Sequence, residues 1–205
     1  MKENVKTQMI FESFDVLKDL WDSKEEAIRR LICRMFKEDP ETAVEMWLYV
    51  LRNNKKTISR GEEYEASALT NNMLCFFFYG LNYENYYNSY DNEKEMALSK
   101  ILLKNKELRT ILFSKNKGIG DETYHLLAHI IASDKPDILI ESLNLIKDNK
   151  AEDFTIGHAL TVAIEHLGVS VPQQNIEILE QFVSNIKDKQ DRAEAFTALL
   201  SLDND

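Results

Sequence analysis

The sequence predicts an all-α fold of about ten short amphipathic helices arranged in antiparallel pairs. Its 205 residues contain only three prolines and six glycines, which leaves few residues that favour turns. Apolar residues recur at three- and four-residue spacing, and in the segment 24–37 they form one stripe along a helix. The three prolines open the similar segments PETAVE, PDILIE and PQQNIE, which indicates three helices of related design.

The predicted helix starts depend on capping residues. Asp39 is a good N-cap, and Pro40 loses no hydrogen bond at the first helical position, where the N–H would have no partner within the helix. We expect the other two prolines to open their helices in the same way. Ser23 and Glu26 have the spacing of a capping box. The predicted helices span residues 6–20, 24–37, 40–53, 60–79, 91–104, 106–115, 121–132, 136–148, 154–167, 173–187 and 189–201.

The proline-opened segments also share an apolar stripe and a spacing. Pro136 and Pro172 are 36 residues apart, which is the length of a two-helix repeat unit, whereas Pro40 lies 96 residues before Pro136. This pattern resembles HEAT- and armadillo-like helical repeats. The resemblance implies an irregular right-handed stack of helix pairs, and an irregular α-bundle is the alternative. The stripe comprises Val44, Trp47 and Val50, then Ile140, Leu143 and Ile146, then Ile176, Leu179 and Phe182.

Residues 1–205 are predicted to form a single all-helical domain. The segment FFFYGLNYENYYNSY, at 76–90, has eight aromatic residues among its fifteen. Its part at 80–90 is predicted to be a loop, which would separate two sub-modules at 1–80 and 91–205.

The net charge of −10 is unevenly distributed along the chain. Residues 1–115 contribute −1 and residues 116–205 contribute −9, and no Lys or Arg lies between Lys150 and Lys187. This pattern favours an acidic face that binds a basic protein, and a solvated surface that aids solubility is the alternative. Duplex nucleic acid is disfavoured, because phosphate binding needs clustered cations. The candidate partner-binding acids are Glu152, Asp153, Glu165, Glu177 and Glu180.

The tyrosines of the aromatic segment are a second candidate contact surface. Tyrosine interleaved with Asn and Ser is typical of binding loops, because its ring offers a large contact area at low entropy cost. The alternatives are rings that pack on their own helices, or a single-stranded nucleic-acid site in which bases stack on the rings. In that last case the basic segment 99–117 would hold the phosphates. The four tyrosines are Tyr83, Tyr86, Tyr87 and Tyr90.

The histidines are the strongest hint of metal chemistry. His125 and His129 are four residues apart, so they share one face of a helix and are within reach of one metal ion. His158 and His166 follow on a later helix. The segment lacks the general base of an HExxH motif, and interfacial or surface histidines are the alternative. No cofactor is expected.

The motifs favour binding over catalysis. The chain has no GxSxG, no P-loop and no Cys next to a plausible His. We therefore expect a non-enzymatic protein-interaction module, by analogy an inhibitor or immunity-type protein that neutralises a basic partner. The alternatives are a metal-binding protein or enzyme that uses the histidines, and a single-stranded nucleic-acid binder.

The expected location is the cytoplasm, without membrane association. No signal-peptide pattern is visible, and the longest apolar run is far shorter than the roughly 20 residues that cross a bilayer. Cys33 and Cys75 lie in apolar helical stretches, so buried free thiols in a reducing compartment are favoured over a disulfide.

Overall fold

The structure, a computed structural model, describes residues 2–53, 73–74, 77, 92–114, 121–148, 155–166 and 170–204. These ranges contain α-helices, a terminal 3₁₀-helix and no strand, so the all-α prediction is confirmed. The helices are α1 Lys2–Leu17, α2 Trp21–Phe36, α3 Pro40–Asn53, α4 Asn92–Leu102, α5 Lys106–Ser114, α6 Asp121–Ile131, α7 Pro136–Lys147, α8 Ile156–Glu165, α9 Gln173–Ser184 and α10 Lys189–Leu200, followed by the 3₁₀-helix Ser201–Asn204.

The start of α3 confirms the predicted N-cap. Asp39 Oδ2 accepts a hydrogen bond from the Thr42 hydroxyl at 2.6 Å, and Oδ1 accepts one from the Thr42 N–H at 3.1 Å. These two bonds, the hydroxyl first, hold the pKa of Asp39 below its ordinary value. Pro136 likewise opens α7, whereas Pro172 is the N-cap of α9 and so lies one position earlier than predicted.

The start of α2 differs from the predicted capping box. The helix begins at Trp21, and the Ser23 hydroxyl donates to the Leu20 carbonyl at 3.3 Å. Lys24 has the non-helical angles φ −132° and ψ 17°, which place a kink where the sequence predicted the first turn. Because the Trp21 side chain is buried, packing against the core extends the helix on the N-terminal side of that kink.

The chain divides into two compact units, Met1–Ile101 and Leu102–Asp205. In the first unit, α1 packs on α2 and α2 packs on α3. Its core is aromatic: the ring of Phe77 stacks on Phe36 with centroids 4.2 Å apart, and meets Trp47 edge-on at 5.7 Å. The stripe predicted for α3 is buried, as expected.

The second unit contains two rows of helices. α5 packs on α7 and α7 on α9, while α6 packs on α8 and α8 on α10. Contacts between α6 and α7, and between α9 and α10, join the rows. Packing of each helix on the second one along the chain is the arrangement of two-layer helical stacks. The rows agree with a stack of helix pairs, and membership of the HEAT or armadillo class stays a prediction.

Buried polar groups fix the helices of the second unit against each other. The Asn175 side chain on α9 is 1% exposed, and its Nδ2 donates to the carbonyls of Ile131 and Ser133, each at 2.7 Å. The Ile131 carbonyl is at the end of α6 and that of Ser133 lies in the turn that follows, where no intrahelical donor remains. Asn175, on α9, therefore caps the C-terminal end of α6.

The contact between α8 and α10 requires a glycine. The Gly157 N–H donates to Asp191 Oδ1, so a side chain on α10 satisfies an orphan donor at the start of α8. A Cβ at position 157 would lie 2.7 Å from the Asp191 carbonyl oxygen and 2.9 Å from Glu194 Cβ. Because the first of these atoms belongs to the backbone, any larger residue would push the two helices apart.

One residue of the stripe predicted for α7 lies at the surface and not in the core. Ile140 is 45% exposed, whereas its neighbour Leu139 is fully buried. Leu143 and Ile146 are buried as predicted. α7 contains three apolar residues in succession, Ile138, Leu139 and Ile140. Successive residues point in different directions around a helix, so only part of such a run can face the core of the protein.

Three predictions about the fold concern residues outside the described ranges. The separating loop at 80–90 and the predicted helix 60–79, apart from residues 73, 74 and 77, are among them. Cys75 is another, whereas Cys33 is a buried free cysteine, as predicted. Burial raises the pKa of the Cys33 thiol to about 12, so this group stays protonated.

Candidate functional site

A groove with apolar walls lies between α7 and α9 in the second unit. Ile140, Asn144 and Lys147 lie on the α7 side, and Ile178 and Phe182 lie on the α9 side. At 100° per residue, each of these two sets falls on one face of its helix. The exposed Ile140 therefore belongs to the wall of a groove.

The floor of the groove is apolar and its end is polar. Leu143 and Ile186 are buried beneath it, and Ile156 adds a further apolar side chain. The cavity volume is about 730 Å³, and one end is lined by residues 185–188 of the turn between α9 and α10. An apolar concave surface with a polar border is typical of ligand and partner sites.

α9 presents three different faces. Asn175, Leu179 and Val183 face the core, as their burial shows. Ile178 and Phe182 face the groove. The third face is exposed and carries the predicted acids Glu177 and Glu180 together with Ser184. Glu177 lies one turn before Gln181, which lines the groove, so this carboxylate borders the rim.

The charged groups that line the groove have different roles. Asp188 is the N-cap of α10 and accepts the Asp191 N–H at 2.9 Å. Asp191 itself accepts the Gly157 N–H, so both aspartates are engaged in capping helices. Lys147 and Lys187 are exposed at the edges. Glu177 and Glu180, on the exposed face of α9, do not line the groove and are exposed to a basic partner.

Part of the basic segment 99–117 is neutralised within the second unit. Arg109 is buried, and its guanidinium donates to the Leu102 carbonyl at 2.8 Å and to Glu141 Oε2 at 2.6 Å. Lys106 Nζ lies 2.9 Å from Glu141 Oε1. Burial opposes ionisation of Glu141, but the two cations outweigh it and hold its pKa below the ordinary value. These two cations are therefore poor candidates for phosphate contacts.

Three of the four histidines lie together. The rings of His125 on α6 and His166 at the end of α8 stack in parallel, 3.7 Å apart between centroids and 5° between planes. The ring of His129 lies 6.4 Å from that of His166 at an angle of 73°. All three side chains are half-buried. The structure thus adds His166 to the pair that the sequence singled out.

The fourth histidine is separate. His158 is exposed near the start of α8, and its ring contacts Tyr124 edge-on at 5.7 Å. Eight residues of helix separate it from His166, which places it more than two turns away.

The remaining predicted site residues divide into two groups. Glu165 is exposed at the end of α8. Glu152, Asp153, Tyr83, Tyr86, Tyr87 and Tyr90 lie outside the described residues, so their roles stay predictions. The groove residues were missed, and the available signal was the apolar run Ile138, Leu139, Ile140, which is longer than one core face needs.

Comparison with family models, curated proteins and solved structures finds no match for this chain. Among the helices of the described ranges, none has the length and apolar character needed to cross a membrane.

Proposed function

We propose that this protein is a non-enzymatic protein-interaction module that binds a basic partner, in the manner of an inhibitor or immunity-type protein. The observation that supports this function best is the groove between α7 and α9, in which the exposed apolar side chain of Ile140 lies across from α9, the helix that carries the exposed Glu177 one turn from the groove residue Gln181. A partner would insert an apolar side chain into the groove and direct a Lys or Arg side chain to Glu177 at its rim, while Glu180, on the far side of the exposed face of α9, would add to the attraction at longer range.

The groove and the carboxylates are expected to contribute differently to binding, because they differ in their exposure to solvent. The groove walls and floor offer desolvated apolar contact, which is where binding energy concentrates in protein interfaces. The carboxylates are exposed, so their attraction to a basic protein mainly accelerates association and is screened by salt. The uneven net charge, −9 over residues 116–205, adds a long-range field of the same sign.

The testing experiment is affinity capture from the native extract with the intact chain as bait, at low and high salt and with and without chelator. We expect a basic protein that is retained at low salt, lost at high salt and unaffected by chelator. A captured partner is then purified and its dissociation constant is measured with four forms of the bait: wild type, Ile140→Asp, Glu177→Lys and Glu12→Lys.

The variants distinguish binding at the groove from a general attraction to an acidic protein. Ile140→Asp should weaken binding about tenfold or more, because a charge replaces an apolar contact at the interface centre. Glu177→Lys should slow association and reduce the salt dependence. Glu12→Lys makes the same charge change at an exposed mid-helix position in the first unit, so it should have little effect. Equal affinity for all four baits would contradict the proposal, as would the absence of any basic partner.

A further inference from the structure

The histidine cluster carries an inference that goes beyond partner binding. His125 and His129 lie one turn apart on α6, and His166 comes from the end of α8. The ring centroids of His125 and His129 lie 3.7 Å and 6.4 Å from that of His166, and a ring nitrogen of His125 lies within 4.8 Å of one of His166. We propose that these three imidazoles bind one zinc ion and thereby join α6 to α8.

The choice of metal follows from the donor set. Three neutral imidazoles suit zinc and its neighbours in the first transition row, whereas calcium and magnesium require oxygen ligands. Two histidines at i and i+4 on a helix are an established way to offer two nitrogens to one ion. The half-buried position of the three rings leaves a path for the ion and for a water ligand in the fourth tetrahedral position.

The rings must turn about their side-chain torsions before all three can bind one ion. The lone pairs of an imidazole lie in the ring plane, so the parallel planes of His125 and His166 direct theirs along separate lines. Rotation of one ring about its side-chain torsions would bring the two nitrogens from within 4.8 Å to the separation of about 3.4 Å that Zn–N bonds near 2.1 Å require. The ring of His129, whose plane crosses that of His166 at 73°, must also turn a nitrogen toward the ion, because its nitrogens do not lie within 4.8 Å of those of both other rings.

The consequence concerns the stability of the second unit. α6 and α8 belong to the same row and already pack on each other. An ion held by both helices would bind the folded state and not the unfolded chain, so its binding free energy would add to the free energy of unfolding. This role needs no catalysis and is compatible with a partner at the groove.

The test uses the intact chain, stripped with chelator and dialysed, and titrated with zinc chloride in a calorimeter. We expect one zinc ion per chain and a melting temperature that rises with zinc concentration. The visible spectrum with cobalt substituted for zinc should show tetrahedral coordination without a thiolate charge-transfer band. Such a band would assign the metal to cysteine and overturn the proposal.

Four single substitutions complete the test. His125→Ala, His129→Ala and His166→Ala should each weaken zinc binding at least about tenfold. His158→Ala removes a histidine from the same unit but outside the cluster, and it should bind zinc like wild type. Far-UV circular dichroism checks that each variant is folded. If an alanine variant is not folded, His166→Gln, which keeps a polar side chain of similar size, serves as the test of the cluster. Absence of stoichiometric zinc, or equal affinity in His166 and His158 variants, would refute the site.

Discussion

The two units are stabilised by different kinds of contact. In the described part of the first unit the core joins large aromatic rings, and hydrogen bonds such as those from Tyr49 to Asp19, at 2.8 Å, and from Thr7 to Glu38, at 2.5 Å, join distant parts of the chain at exposed positions. In the second unit Asn175 and Arg109 are buried and donate to backbone carbonyls of other helices or segments. Apolar packing resists large changes in volume, whereas a buried hydrogen bond also specifies which helix lies opposite which. The candidate sites both lie in the second unit, where helix positions are specified in this way.

The largest expected effect tests the aromatic core. Trp47→Ala should lower the free energy of unfolding by about 3–5 kcal/mol, because it removes a buried ring that meets Phe77 and leaves a cavity. Urea unfolding, followed by the emission of Trp21 in the same unit, measures the change. Val16→Ala, at a position 72% exposed, should change stability by no more than about 0.5 kcal/mol. Similar effects of the two substitutions would mean that the first unit does not depend on its aromatic core.

A smaller effect tests the polar links of the second unit. Asn175→Ala should lower the free energy of unfolding by about 1–3 kcal/mol, because the carbonyls of Ile131 and Ser133 lose a buried donor. The measurement is urea unfolding followed by far-UV circular dichroism. Gln174→Ala, at the exposed neighbouring position, is the matched control and should be close to wild type. If the two variants are equally stable, buried hydrogen bonds do not distinguish the second unit.

The smallest effect concerns a polar contact of the first unit that lies at the surface. Asp39→Ala should cost about 1 kcal/mol at neutral pH, because the N–H of Thr42 loses its acceptor. The folded-state pKa of Asp39 is lowered, so the ionised cap stabilises the protein above the unfolded-state pKa of about 3.9. This contribution is lost as the pH falls through the folded-state pKa.

The pH dependence of that cap can be measured directly. The difference in melting temperature between wild type and Asp39→Ala should shrink as the pH is lowered below about 4. Asp39→Asn keeps a capping oxygen that does not titrate, so its stability relative to Asp39→Ala should stay constant over the same range. A wild-type advantage that is independent of pH would contradict the role assigned to the ionised carboxylate.

Local features of the sequence located the helices well. The bounds of α3 are those predicted, and the other helices observed in full differ by at most four residues at either end. Periodicity and N-capping act within one or two turns, so they are readable from a single segment. Packing overrode them at α2, where the buried Trp21 extends the helix beyond the predicted cap.

The candidate sites were only partly predictable for the same reason. His125 and His129 are neighbours on one helix, so their proximity follows from spacing alone. His166 lies beside them because α8 packs on α6. Ile140 lines a groove because of the way in which α7 packs on α9. Asn175 donates to the carbonyls of Ile131 and Ser133, which lie 44 and 42 residues earlier in the chain, and no local pattern of the sequence predicts that contact.

The sequence by itself determined the helical class, the helix positions, the uneven charge and the exposure of Glu177 and Glu180 on a polar face. The tertiary structure alone decided which apolar residues of α7 are buried, which polar groups bridge helices and which histidines meet. The physical reason is the separation along the sequence over which each kind of interaction acts. Hydrogen bonds and periodicity within a helix join residues up to four positions apart, whereas the groove and the histidine cluster join residues 40 or so positions apart through packing that no single segment encodes.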